Sequence, residues 1–144
     1  MDRVNVGPQN NKKNINDISF NNEKILIVDD DIRNIYILSE VLNLKGANVI
    51  TANNGAEAIE KLKDNLDTSL IFMDIMMPLM DGYKATKIIK EDKKLKNIPV
   101  IALTAKSMSE DKQIVLDAGC DDYLTKPIDK DILVNIAKGW LNKK

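Results

Sequence analysis

From Lys24 onward, short apolar runs alternate with amphipathic stretches whose apolar residues recur three and four positions apart. That alternation predicts repeated βα units and a parallel sheet. The runs place strands at 24–28, 48–52, 70–74, 99–103 and 122–125. A first helix carries Ile35, Leu38, Val41 and Leu42 on one face and stops near Lys45-Gly46, a common C-terminal signal. A second runs from about Ala56 to Asn65, and a third opens at Asp81-Gly82 with Ala85, Ile88 and Ile89 inward. A fourth lies near 109–118, ending before Gly119. The last begins after Pro127, with Asp129 as N-cap, and is expected to bury Ile132, Leu133, Ile136 and Trp140. No internal repeat is present beyond this alternation.

Residues 1–23 break the pattern. They are rich in asparagine and lysine, contain Gly7-Pro8, and show no sustained period. So few apolar residues do not offset the entropy of ordering a chain, which predicts a flexible tail or linker. Within it, Ile15, Ile18 and Phe20 are able to dock locally. Residues 24–144 then form one domain.

Composition narrows the function. With 21 Lys and Arg against 22 Asp and Glu, the net charge is -1, which gives no support to broad nucleic-acid or anionic-membrane binding. No apolar run approaches a membrane span of ~20 residues, and the N-terminus lacks the apolar core of a signal peptide. A soluble cytoplasmic protein without membrane contact is expected. Cys120 is the lone cysteine, so no intrachain disulfide forms. The chain has no histidine, which removes Ser-His-Asp and Cys-His catalysis and histidine-ligated zinc. Carboxylates, lysine, hydroxyls and a metal are left to do any chemistry.

The strand ends carry that chemistry. Residues 25–31 read ILIVDDD, 70–74 read LIFMD, 100–104 read VIALT, and the DYLT of 122–125 is closed by Lys126-Pro127. Ligands of open parallel sheets bind outside the carboxyl ends of the strands. Neighbouring strands would therefore bring Asp29, Asp30, Asp74, Thr104 and Lys126 to one pocket. Taken singly, each has an ordinary structural role. Acidic residues cap helices, as Asp31 is expected to do. Lysines line surfaces, threonine suits strands, Tyr123 reads as a half-buried strand aromatic, and methionines 73, 76, 77 and 80 fill core. Taken together, clustered carboxylates repel one another unless a cation neutralises them. Magnesium, with its oxygen ligands, does so.

Four motifs, VDDD at 28–31, MDIMMPLMDG at 73–82, IALTA at 101–105 and AGCDDYLTKPI at 118–128, resemble the receiver domain of two-component response regulators. The likeness runs from Lys24 to the C-terminus and is greatest to the receivers of hybrid sensor kinases. It implies a flavodoxin-like, doubly wound (βα)5 fold with strand order 2-1-3-4-5. It implies that Asp74 accepts a phosphoryl group from a phosphohistidine on a sensor kinase or a histidine phosphotransfer protein. By the same resemblance Asp30 ligates Mg2+ (or Mn2+) directly, Asp29 acts through water, and Met76 gives its main-chain carbonyl. Lys126 pairs with the phosphoryl oxygens, Thr104 donates its hydroxyl to them, small Ala105 lets that loop approach, and Tyr123 rotates inward as a switch.

Such a domain catalyses only its own phosphotransfer and self-dephosphorylation. Its phosphorylation is expected to alter the surface around the fourth helix, fifth strand and last helix, where a phosphorylation-dependent homodimer or another partner would form. Met76 and Lys106 should flank the path of the attacking water and slow hydrolysis.

Two rivals share parts of the pattern. A haloacid-dehalogenase-like, magnesium-dependent phosphatase would use the D-x-D of 29–31. Position 33 is Arg, however, Lys126 follows Asp121-Asp122 rather than preceding it, and no cap insertion is available. A flavodoxin-like mononucleotide binder needs a Gly- or Ser-rich phosphate loop after the first strand and finds DDDIRN instead.

Overall fold

In a computed structural model that describes residues 18–77, 81–105, 113 and 115–143, the chain runs β1 (Lys24–Val28), α1 (Ile32–Leu44), β2 (Asn48–Ala52), α2 (Gly55–Asp64), β3 (Leu70–Asp74), α3 (Gly82–Glu91), β4 (Val100–Thr104), β5 (Asp122–Thr125) and α4 (Lys130–Leu141). All strand pairs are parallel, in the order β2-β1-β3-β4-β5, which is the fold expected from the sequence. Most of the stretch 109–118 lies outside the described residues; residues 113 and 115–117 are helical.

Alternate strand residues serve opposite cores. Leu26, Val28, Ile71, Met73, Val100 and Ala102 point to one side and meet Ala58 and Leu62 of α2 and Ala85 and Ile89 of α3. Ile25, Ile27, Leu70, Phe72, Ile101, Leu103 and Leu124 point to the other and meet Leu38 and Leu42 of α1 and Leu133, Val134 and Ala137 of α4. Strands covered on both faces need apolar residues at both parities, which is why they read as continuous apolar runs.

Helix starts follow local chemistry. Asp31, Asn54, Asp81 and Asp129 each occupy an N-cap and accept backbone N–H groups of the first turn. At α2 the cap is reinforced, since Glu57, whose amide Asn54 accepts, itself accepts the amide of Asn53, the residue before the cap. Among the described residues no helix is long and apolar enough to cross a membrane.

Several features differ from the sequence reading. β4 begins at Val100 rather than at 99, because Pro99 has no N–H to give the ladder, although its carbonyl accepts from Ile71. Ile132 is 55% exposed. The inward face of α4 is set by Leu133, Val134, Ala137 and Leu141, and at 100° per residue Ile132 lies on its far side; Ile136 and Trp140 flank the core half-buried.

The packed unit also starts before Lys24. Of the tail residues expected to be able to dock locally, Ile18 and Phe20 are buried in the α1/α4 core, and Ile15 lies outside the described residues. Phe20 N–H donates to Lys45 O and Asn22 N–H to Gly46 O, while Lys138 Nζ donates to Ser19 O. Asn21 and Asn22 take left-handed φ values of 51° and 64°, a tight-turn geometry that asparagine tolerates. The segment thus bridges the end of α1 and α4.

Candidate functional site

Register alone brings the strand ends together. Val28 pairs with Met73, so Asp29 follows β1 beside Asp74 at the end of β3. Asp74 pairs with Leu103, and Thr104 with Thr125, so the hydroxyl and the residue before Lys126 share one edge. Asp29, Asp74 and Thr104 are 0%, 3% and 4% exposed, whereas Asp30 is open to solvent.

One carboxylate oxygen from each of Asp29, Asp30 and Asp74 lies within 4.8 Å of the others. Opposite ligands of an octahedral magnesium ion are ~4.2 Å apart, so these oxygens need only a small inward adjustment to share one ion. The charges fit as well. Three carboxylates and one ammonium sum to -2, which a divalent cation cancels. The donor set is all oxygen, as a hard cation requires.

Lys126 Nζ stands 3.3 Å from Asp29 Oδ2 and 3.4 Å from Asp74 Oδ1. Its peptide to Pro127 is cis, and its N–H donates to Thr104 O. Asp29 Oδ1 accepts from the Asp31 amide at 2.8 Å, and Asp74 Oδ1 from the Met76 amide at 3.3 Å. Burial pushes the Asp74 carboxyl up to about 7, with the Asp29 charge adding to the rise and Lys126 opposing it. Burial pulls the Lys126 ammonium down, but Asp74 and Asp29 outweigh it and hold it above the ordinary lysine value. Without metal, then, Asp74 shares its neutral and ionised forms about equally at neutral pH.

Asp29, Asp30, Asp74, Thr104 and Lys126 therefore meet at one edge. Tyr123 is half-buried on β5 and packs against the α2/α3 core. Met76 is 69% exposed in the loop after β3, and Ala105 is exposed after β4. Lys106 lies outside the described residues. Sequence reasoning passed over Asn34, whose amide donates to Asp29 Oδ2 at 3.4 Å. The available signal was its helix position, one turn in from the Asp31 cap and on the side that faces the acid cluster. Gly82 was read only as a helix start, yet its N–H donates to the carbonyl of Ile75, the residue after Asp74.

A five-stranded parallel sheet of this order, bearing an acid cluster and a lysine at its carboxyl edge, defines a receiver-type signalling domain. The chain belongs to the response regulator receiver domain family, whose model matches residues 25–138. Family membership selects the receiver over the phosphatase alternative.

Among relatives, a transcriptional regulatory protein CpxR homolog of Haemophilus influenzae is 41% identical over 114 residues, 78% of this chain and 48% of that protein. Hybrid signal transduction histidine kinase B of Dictyostelium discoideum is 41% identical over 132 residues, 83% of this chain and 7% of that protein. The chain thus spans about half or less of the length of these two relatives. Among solved structures, the receiver domain of a sensor histidine kinase from Pseudomonas aeruginosa superposes with a TM-score of 0.77 at 32% identity, covering 83% of this chain and 98% of that one. That structure carries a magnesium ion coordinated in its active site cleft.

Proposed function

We propose that Asp74 is the phosphoacceptor of this receiver and takes its phosphoryl group from a phosphohistidine on a sensor kinase or histidine phosphotransfer protein. The observation that carries this reading is the grouping of three carboxylates within 4.8 Å with a lysine shared between the buried pair. Of the three carboxylates, Asp74 ends β3, which lies between β1, leading to Asp29 and Asp30, and the β4–β5 side that leads to Lys126. Asp29 and Asp30, with Asp74 and the Met76 main chain, would hold Mg2+, which supplies charge neutralisation for the phosphoryl oxygens.

The chain's own residues do the rest. Lys126 is already within reach of Asp74 and moves from carboxylate to phosphoryl oxygen as the P–N bond of the donor breaks and the Asp74 O–P bond forms. With its neighbours neutralised, Asp74 ionises and becomes the nucleophile. Thr104, buried beside it, supplies a hydroxyl to the same oxygens, and its movement toward them shifts a pre-existing equilibrium that Tyr123 and the β5 edge report. The partners are then a phosphohistidine donor and whatever meets the surface around residues 109–118, β5 and α4, including a second copy of this chain.

Incubation with acetyl phosphate and magnesium is expected to add one phosphoryl group by intact mass. Asp74→Asn is expected to add none, and a chelator to abolish labelling of the parent protein. Stoichiometric labelling of Asp74→Asn, or equal rates with and without magnesium, would overturn the assignment.

A further inference from the structure

Gly82 opens α3, eight residues past Asp74 and outside the acid cluster. Glycine is most often required where φ is positive, as at Gly46 and Gly119, but Gly82 has no such φ. Its backbone is one that any residue adopts. The reason for glycine is space. A Cβ built at position 82 would stand 2.3 Å from Asp74 O, 2.8 Å from Ile75 Cα and 3.0 Å from Asp74 C. These are backbone atoms, so no side-chain rotation relieves the overlap.

The same backbone is fixed from the other side. Ile75 N–H donates to Leu103 O across the sheet at 3.2 Å, and Ile75 O accepts from Gly82 N–H at 3.0 Å. The first residue after Asp74 is therefore clamped between β4 and the start of α3. The clamp closes only because position 82 has no side chain.

We infer that Gly82 is a positioning residue for the acceptor: its missing Cβ lets the start of α3 seat against the Asp74–Ile75 peptide and sets where the Asp74 carboxylate stands relative to the metal ligands and Lys126. This rests on Asp74 being the acceptor. A methyl group at 82 must drive the Asp74 carbonyl outward by the better part of an ångström. Reacting groups displaced by ~1 Å lose about 100-fold in rate, and supporting groups one shell out from a metal change its affinity by roughly 10- to 100-fold.

The test compares parent, Gly82→Ala and Asp81→Ala. The last removes the α3 cap, which accepts the Lys84 amide at 2.8 Å, and loosens the helix start without adding a group next to Asp74. Labelling rate with acetyl phosphate, the magnesium dissociation constant by calorimetry and the unfolding midpoint are measured for all three. Gly82→Ala is expected to label about 100-fold more slowly and to bind magnesium roughly 10-fold more weakly. Asp81→Ala is expected to lose stability while keeping the parental rate and metal affinity. Should Gly82→Ala be unfolded in buffer, all three are compared in trimethylamine oxide, which restores burial.

Parental rate and metal affinity in folded Gly82→Ala would overturn the inference, as would an equal loss in Asp81→Ala. Failure of the parent protein itself to label would instead strike the reading of Asp74.

Discussion

At the amino ends of the strands, charges are matched. Lys24 Nζ reaches Asn65 Oδ1 and Asp67 Oδ1, both at 2.9 Å. Lys90 Nζ meets Asp121 Oδ2 at 2.8 Å, an oxygen that also accepts the Val100 amide. Trp140 donates to Asp122, and Ser69 to Glu23. Phe20 and Ile18 close that end with apolar surface. At the carboxyl ends, the buried pair Asp29 and Asp74 shares one lysine with exposed Asp30 nearby. One end of the sheet is built for stability, and the other is held in an arrangement that its own charges oppose. The first makes the second affordable, because marginal folding free energies leave little room for uncompensated repulsion.

The largest effect should come from breaking the stable end. Phe20→Ala empties a fully buried aromatic site and is expected to lower unfolding free energy by about 3–5 kcal/mol, read by urea denaturation. The fraction still folded should label at the parental rate. A loss below about 1 kcal/mol would mean that the segment before β1 is not part of the stable end.

Relieving the opposed end should do the reverse. The Asp74 carboxyl is raised from 3.8 to about 7, so the folded state holds this proton more tightly than the unfolded chain does. The resulting stabilisation is fully present below about pH 4 and is lost as pH rises through about 7. The shift sets a ceiling near 4 kcal/mol. Asp74→Asn keeps the site neutral and is expected to gain about 1–3 kcal/mol over metal-free parent at about pH 8, with little difference at about pH 4. Saturating magnesium should narrow the gap by stabilising the parent. Equal pH profiles for the two proteins would show that the carboxylates do not strain the fold.

The smallest effect concerns the rim. We propose that Met76, exposed after β3, shields the approach to Asp74 without orienting water, and that Lys106 does not serve there as a base. Replacing Met76 with Asn and Lys106 with Glu is expected to shorten the phosphorylated lifetime by roughly three- to tenfold, about 1 kcal/mol in barrier. Decay of the phosphorylated mass peak measures it, and an unchanged lifetime would remove both residues from control of the signal's duration.

What was legible in the sequence divides along the same line. Strand ends at Asp74 and Thr104 were readable because an apolar run that stops in a carboxylate or hydroxyl needs no tertiary information to be noticed. Helix caps at Asp31 and Asp129 were readable because capping is local. Phe20 was not. Its burial depends on hydrogen bonds to Lys45 and Gly46 and on an α4 contact from Lys138, none of which leaves a periodic trace among asparagines and lysines. Ile132 was misplaced because one turn of a helix offers two plausible apolar faces, and only the packing against β3 and α1 selects between them. Gly82 hid behind its helix-start role because an excluded atom has no sequence signature.

β3 sits between β1 and β4 and is buried along its whole length, while β2 and β5 are sheet edges with partly open residues. Its amides should therefore exchange with deuterium only when the entire domain opens, long after those of the edges have done so. A phosphoryl group on Asp74, as proposed, would sit at the tip of one of the two fully buried strands among the described residues. On the proposed reading, news of it would leave through the edge strand β5, which is more open and ends at Thr125 beside Lys126, so the acceptor would act as an anvil and its surroundings as the bell.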